Sequence, residues 1–192
     1  MGRGRKISAA VVAGAQLIVP VRTRRHLPFR SVNRRDCPGY TPQMQRHHLL
    51  PRQLLSEPCF VRLIEALGRD RLGYDDFRRN GLLLPASEDA AFSSGLPLHR
   101  GPHRAYNKLV MERFGQIEER WSHLRLRAPE VALDEALMRL DLLRHALRRK
   151  LLDGGARPYR LNRHDPIGKG LDFTDLDAMA DALWAGSSWT RH

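Results

Sequence analysis

Long apolar runs are missing from this sequence: no stretch reaches the about 20 consecutive apolar residues that a membrane-spanning helix needs. Thiols are scarce as well. Cys37 and Cys59 are the two cysteines, 22 positions apart and without a CxxC pair, which excludes a thiolate zinc cluster and a disulfide scaffold and leaves two free thiols. Lysine is nearly absent, at 4 residues against 29 arginines. Acid is nearly absent from the first quarter, where residues 1–52 carry 11 Lys+Arg and only Asp36, a balance of +10 within a total of +12. The remaining residues balance to +2, so the basic charge is concentrated at one end, and an acidic polymer is its natural partner.

What is present is an ordinary folding composition. Hydrophobic residues make up 42% and charged residues 28% of the 192, which excludes a fully disordered or collagen-like chain. That length suits one domain with a tail or extension. The first residues, Met1–Val19, have the basic-then-apolar outline of a signal peptide, with Ala13-Gly14-Ala15 shaped like a cleavage site. Cleavage there leaves too short an apolar core, and Pro20 and the basic run from Arg22 to Arg25 fit export poorly. Residues 1–35 are therefore expected to form a disordered basic arm, and the location to be cytoplasmic, with secretion or delivery to a target cell as the alternative.

Regular structure is expected from about residue 45. Pro38-Gly39 signals a turn, Gln45–Leu50 a strand or extended loop ending at Pro51, and Leu54–Gly68 a short helix closed by glycine. Tyr74–Arg79 reads as a helical turn, Asn80-Gly81 as a turn, Leu82–Leu84 as a short buried strand and 86–97 as a loop. Two long helices follow. Tyr106, Leu109, Val110, Phe114, Ile117 and Trp121 form an apolar stripe over 101–126. Leu133, Leu137, Leu140, Leu143, Leu147 and Leu151 repeat it over 130–152, ended by Asp153-Gly154-Gly155. Thr174 is placed to cap a last helix to Ala185. The fold expected is α+β, with a small core at 36–126 and a helical C-terminal extension at 127–192.

Four of the nine histidines fall in two tight groups. His47 and His48 end the first strand, and His99 and His103 stand four apart where a helix begins. Histidines at i and i+4 share a helical face, and Pro102 between them costs little in a first turn, whose amides have no partner. Three imidazoles from His47, His99 and His103 would hold a divalent ion and leave positions open, the coordination of a catalytic site. Neighbours on a strand face opposite ways, so His48 would be presented differently, as a base. Taken by spacing alone, ordinary surface or core histidines fit equally, and Asn80 fits ordinary turn chemistry. Arg46, Arg52, Arg100 and Arg104 flank the four histidines as candidate phosphate contacts.

Three blocks in order, Arg46-His47-His48-Leu49-Leu50-Pro51, Asn80-Gly81-Leu82-Leu83-Leu84-Pro85 and Leu98-His99-Arg100-Gly101-Pro102-His103-Arg104-Ala105-Tyr106-Asn107, resemble the AHH-type branch of the HNH nucleases. The similarity covers about residues 45–110. It implies the ββα-metal (His-Me) finger of that superfamily, a hairpin and helix gripping one divalent ion at a scissile phosphate. Carried over, His48 is the general base, His47, His99 and His103 are metal ligands, and Asn80 braces the loop that carries the base. Asn107 fits the helical pattern without an assigned contact. The position that names the branch is Ala in the family and Arg46 here, which offers an added phosphate contact.

The function implied is a metal-dependent endonuclease acting on DNA, with RNA as a further substrate, leaving a 5′-phosphate and a 3′-hydroxyl. The ion is one of Mg²⁺, Zn²⁺, Ni²⁺ or Mn²⁺. Because the branch occurs as bacterial toxin and toxin-like domains, the resemblance also implies a toxin-type nuclease and an inhibitor or immunity protein as partner. The alternative is a metal-stabilised nucleic-acid-binding module without turnover, in which the three histidines are structural and His48 is dispensable.

Overall fold

The computed structural model describes residues 25–152 together with Arg160, Leu161, Ala178, Asp181 and Ala182. At its centre, β1 (Met44–His48) runs antiparallel to β2 (Gly81–Pro85), with Met44 opposite Pro85, His47 opposite Leu82 and His48 opposite Gly81. The chain between the strands is helical. Two 3-10 turns, Arg52–Ser56 and Pro58–Phe60, lead into α1 (Val61–Leu67), α2 (Arg69–Leu72) and α3 (Phe77–Asn80).

The single helix expected over 54–68 is therefore divided. Pro58 has no amide hydrogen to continue a preceding helix and opens a new turn, while Gly68 closes α1 at a φ of 72°. Asn80-Gly81 is not a free turn but the junction of α3 with β2. Asp76 caps α3 by accepting from the Arg78 amide. The Pro38-Gly39 turn forms as expected, with the Tyr40 amide donating to the Cys37 carbonyl.

The segment 86–97, expected as a loop, contains α4 (Glu88–Ser94). Its signals are capping signals. The Ser87 side chain accepts from the Ala90 amide, Glu88 and Asp89 occupy the first turn, and Gly95 ends the helix in the left-handed region. No apolar stripe marks it, because only Ala90 is buried and Phe92 is 93% exposed. β3 (Leu98–His99) then pairs in parallel with β4 (Arg160–Leu161).

The long helices are α5 (Arg104–Leu124) and α6 (Pro129–Leu152). Tyr106, Val110, Phe114, Ile117 and Trp121 of α5 are buried, as the stripe requires. On α6 the buried face holds Leu140, Leu143, Leu147 and Leu151, but also Glu135 and Arg144. Hydrophobic periodicity does not foresee these charges; each has one partner on α6 itself and one on another part of the chain. Glu135 accepts from Arg120 of α5 and from Arg139 Nε at 2.8 Å, and Arg144 donates to Asp141 and to the Leu72 carbonyl. A continuous core runs from Leu49, Leu50 and Leu54 through Leu63, Leu67 and Leu84 into α5 and α6.

Of the helix expected over 174–185, only Ala178, Asp181 and Ala182 are described; all three are helical, and Asp181 accepts from Arg139 at 2.6 Å. Residues 1–24 of the expected basic arm lie outside the described residues, as does the stop at 153–155. Within 25–35 the chain is tied to α3 and to β1, with Pro28 bridged to Asp76 and the Phe29 carbonyl bonded by Arg46. The Leu27 carbonyl accepts from the Phe77 amide at 2.7 Å, and Phe29–Ser31 forms a 3-10 turn.

Gly81 shows how tightly β2 seats on α3. A Cβ there would lie 2.2 Å from the Phe77 ring, so the ring must move before any side chain fits. We expect Gly81→Ala to destabilise the protein by about 1–3 kcal/mol, the usual cost of overpacking. Urea unfolding followed by circular dichroism measures this, with the midpoint shifting and the slope unchanged.

Candidate metal centre

The site is built where the end of β1 meets the start of α5. Strand pleating sends His47 and His48 to opposite faces of the hairpin. His47 is 2% exposed and packs edge-on against His99 and His103, at ring-centroid distances of 4.9 and 5.0 Å. His99 comes from β3, His103 from the position that caps α5, and their rings are 5.1 Å apart. One ligand nitrogen from each of the three lies within 4.8 Å of the others.

The hydrogen bonds of these rings decide which nitrogens face inward. His99 Nδ1 is 3.2 Å from Gln45 Oε1, and His103 Nδ1 is 3.0 Å from Asn107 Oδ1. An amide oxygen only accepts, so each Nδ1 carries the hydrogen and each Nε2 keeps its lone pair. His47 Nε2 is buried with no hydrogen-bond partner among the described residues. An orphaned buried nitrogen is costly unless something fills its lone pair. A divalent ion with three neutral imidazole ligands and an open fourth position fits this set.

Electrostatics favour the neutral, ligating form. Burial, reinforced by the neighbouring His99 and His103, holds His47 well below its ordinary value. Burial also pushes His99 down from 6.5 to about 4, with His103 adding to the shift. These imidazoles therefore stay unprotonated at neutral pH without a nearby carboxylate.

His48 occupies the other face. Its ring stacks on Phe29 at 3.7 Å and 2°, and on Tyr74 at 5.6 Å and 23°. Burial and then the Arg52 charge lower it from 6.5 to about 4, with Asp75 opposing and Arg46 adding. Beneath both histidines lies Asn80, 0% exposed. Its backbone carbonyl accepts from the Leu49 amide and its Oδ1 from the Leu50 amide, both at 2.8 Å. Its Nδ2 donates to the Tyr74 carbonyl at 3.1 Å. Asn80 thus ties the exit of β1 to the turn before β2.

The structure brings His47, His99 and His103 together and turns His48 away from them. Arg46 uses one N–H on the Phe29 carbonyl at 2.7 Å and so holds the ring that covers His48. Arg52, Arg100 and Arg104 are exposed; of these, Arg52 reaches His48 through its charge, and the Arg100 amide donates to the Leu161 carbonyl at 3.2 Å. Tyr106, read from the sequence as core, is fully buried, packs on His47 at 4.9 Å, and donates its hydroxyl to the Leu49 carbonyl at 2.7 Å.

Gln45 and Phe29 are missing from the sequence reading. Gln45 stands two residues before His47, on the same strand face, and that period was the signal available. Phe29 carries no local signal, since its partner is nineteen positions away. Asn107, without an assigned contact in the sequence, stands at i+4 from His103 and orients it.

Two outcomes follow from this geometry. Asn107→Ala is expected to weaken Zn²⁺ or Ni²⁺ binding about 10- to 100-fold, the usual effect of losing a ligand's hydrogen-bond partner, with the metal-free melting temperature little changed; titration calorimetry reads it. Acid is expected to destabilise the metal-free fold. Unfolded imidazoles take up protons below about 6.5, whereas folded His48 and His99 resist to about 4, so the unfolded chain binds more protons in that window and stability falls across it. Urea midpoints measured from pH 7 to pH 4 check the decline; a flat profile contradicts it.

Comparison with known proteins gives one family. The profile described as AHH, a nuclease family of the HNH/ENDO VII superfamily with conserved AHH, matches residues 29–143. That span includes the hairpin, all four histidines and most of α6. No curated protein and no solved structure gives a significant match.

Proposed function

Because the chain belongs to the AHH nuclease family of the HNH/ENDO VII superfamily, we propose that it is a metal-dependent endonuclease of DNA with a histidine general base. Membership makes it a phosphodiester hydrolase with a nucleic-acid substrate. Among the described residues no helix is long and apolar enough to cross a membrane. The observation that carries the finer reading is the convergence of His47, His99 and His103, with the buried His47 Nε2 lacking any other partner.

His47, His99 and His103 would hold a divalent ion, which would supply Lewis-acid stabilisation of charge on the phosphate and on the departing 3′ oxygen. His48 takes the proton of the attacking water, whose oxygen bonds phosphorus as the P–O3′ bond breaks; the departing 3′ oxygen takes a proton from solvent, leaving a 5′-phosphate and a 3′-hydroxyl. Its proton affinity is low in the free protein, but a phosphate arriving beside it favours the protonated imidazole and raises that affinity. The stack with Phe29 and Tyr74 holds the ring in one orientation, and Asn80 sets the backbone that carries it. Arg52, exposed beside His48, is suited to a substrate phosphate. The basic balance of the first 52 residues adds salt-sensitive affinity without sequence preference.

The enclosure of His48 between two aromatic rings favours a second reading, a metal-stabilised binding module without turnover. Plasmid nicking separates the two, run metal-free and with Mg²⁺, Mn²⁺, Ni²⁺ or Zn²⁺, beside His48→Ala and His99→Ala. The nuclease reading expects metal-dependent nicking that falls about 10²- to 10⁴-fold in folded, metal-binding His48→Ala, the usual contribution of a general base. In His99→Ala both nicking and metal binding are expected to fall. Absence of nicking with every ion, together with unfolding on chelation, establishes the binding module instead.

A further inference from the structure

A second concentration of charge lies away from the histidines. Arg78 and Arg79 of α3 and Arg144, His145 and Arg148 of α6 line a cavity of about 480 Å³, together with Asp76 and Asp141. Its size falls within the range of small-molecule sites.

Four guanidiniums share this space with two carboxylates, and both carboxylates are engaged. Asp76 Oδ1 accepts from the backbone amides of Leu27 at 3.2 Å and Arg78 at 3.0 Å. Asp141 is divided between Arg79, at 3.0 and 3.2 Å, and Arg144. The guanidiniums also reach neutral acceptors: Arg144 bonds the Leu72 carbonyl, and Arg148 the Arg78 carbonyl at 2.9 Å and the Arg79 carbonyl at 3.4 Å.

Exposed arginines in such numbers are usually a solvated face, but these are not all exposed. Arg144 is 3% exposed, and its Nε has no hydrogen-bond partner among the described residues. Burial pushes its guanidinium down to about 10 despite the pull of Asp141, and the Arg79 charge adds to the shift. Burial lowers Arg148 as well. Arg144 shares the one Asp141 carboxylate with Arg79, so the positive charge around the cavity is only partly compensated. Charge withdrawn from water is costly, and an anion carrying several acceptor oxygens relieves it. Guanidinium forks match phosphate oxygens in geometry.

We propose that the cavity between α3 and α6 is an anion site that takes a phosphate group, from a nucleic-acid backbone or from free phosphate. It shares no residue with the histidine cluster and does not depend on it. It is nevertheless close in the fold. Asp76 and Arg78 flank Phe77, whose ring lies 5.1 Å from Phe29, the ring stacked on His48.

The test uses the full chain, metal-free in chelator and at constant ionic strength, so that no cleavage is read and the nuclease reading stands or falls separately. Inorganic phosphate is titrated by calorimetry, and a short labelled DNA duplex by fluorescence anisotropy. Two variants accompany the native chain, each checked for helix content. His145→Glu puts a carboxylate into the cavity from an exposed position, and Arg148→Gln removes a guanidinium. The expected result is phosphate binding that weakens about tenfold or more in each folded variant, through the repulsion of the added carboxylate in one and the loss of one charge-assisted hydrogen bond in the other. If duplex affinity falls in parallel and phosphate competes with the duplex, the ligand is backbone phosphate. If duplex affinity holds while phosphate binding is lost, it is free phosphate. Absence of phosphate binding by the native chain, or equal binding by the folded variants, overturns the proposal.

Discussion

The buried carboxamide of Asn80 is the constraint on which the rest of the site depends. It lies at the end of α3, fully enclosed, and its bonds meet the backbone of Leu49, Leu50 and Tyr74. A polar side chain in that position is tolerable only because its groups find partners, and each partner fixes another part of the chain. Leu49 and Leu50 are the residues through which β1 leaves the hairpin. Their position sets where His47 and His48 stand. Tyr106 completes the frame from the other side, with its hydroxyl on the Leu49 carbonyl and its ring against His47. The hairpin and the start of α5 are thus tied by polar groups inside an otherwise leucine-rich core.

Two faces of one short strand then carry two different environments. On one, three imidazoles pack together, and burial keeps His47 and His99 neutral. On the other, a single imidazole stacks on two aromatic rings, with burial and then Arg52 and Arg46 disfavouring its protonation. Both environments suppress protonation, but the chemistry left open differs: lone pairs converging at one point, and one ring beside exposed arginine. The segment near Phe29 belongs to this arrangement, since Arg46 anchors its carbonyl and Phe29 covers His48.

Arginine also organises the helical half. Glu135, buried on α6, joins Arg120 and Arg139, and Asp181 extends the set. Asp141 joins Arg79 of α3 to Arg144 of α6. The first cluster gathers acid and base in comparable number around a helix–helix contact. In the second, guanidiniums outnumber carboxylates around a cavity. Buried charge of this kind adds little net stability, because desolvation offsets much of the attraction.

The reading from residues and spacing reached the hairpin strands, the two long helices and the four histidines, because each has a short-range signature. Strand alternation separates His47 from His48, whereas His99 and His103, expected on one helical face, meet from a short strand and from the cap position of α5, because the helix begins only at Arg104. The apolar stripe of α5 is likewise periodic in the chain itself, and its five innermost residues are the buried ones. Helix α4 escaped because it buries little, so capping residues marked it and periodicity did not. What only the tertiary structure decided are meetings between residues distant in the chain. Gln45 bonds His99, Phe29 covers His48, Glu135 meets Arg120 of α5, Arg144 reaches the Leu72 carbonyl, and arginines of α3 and α6 face one cavity. Local spacing governs which side chains share a face of one element; which faces then meet is set by how the elements pack around their common core.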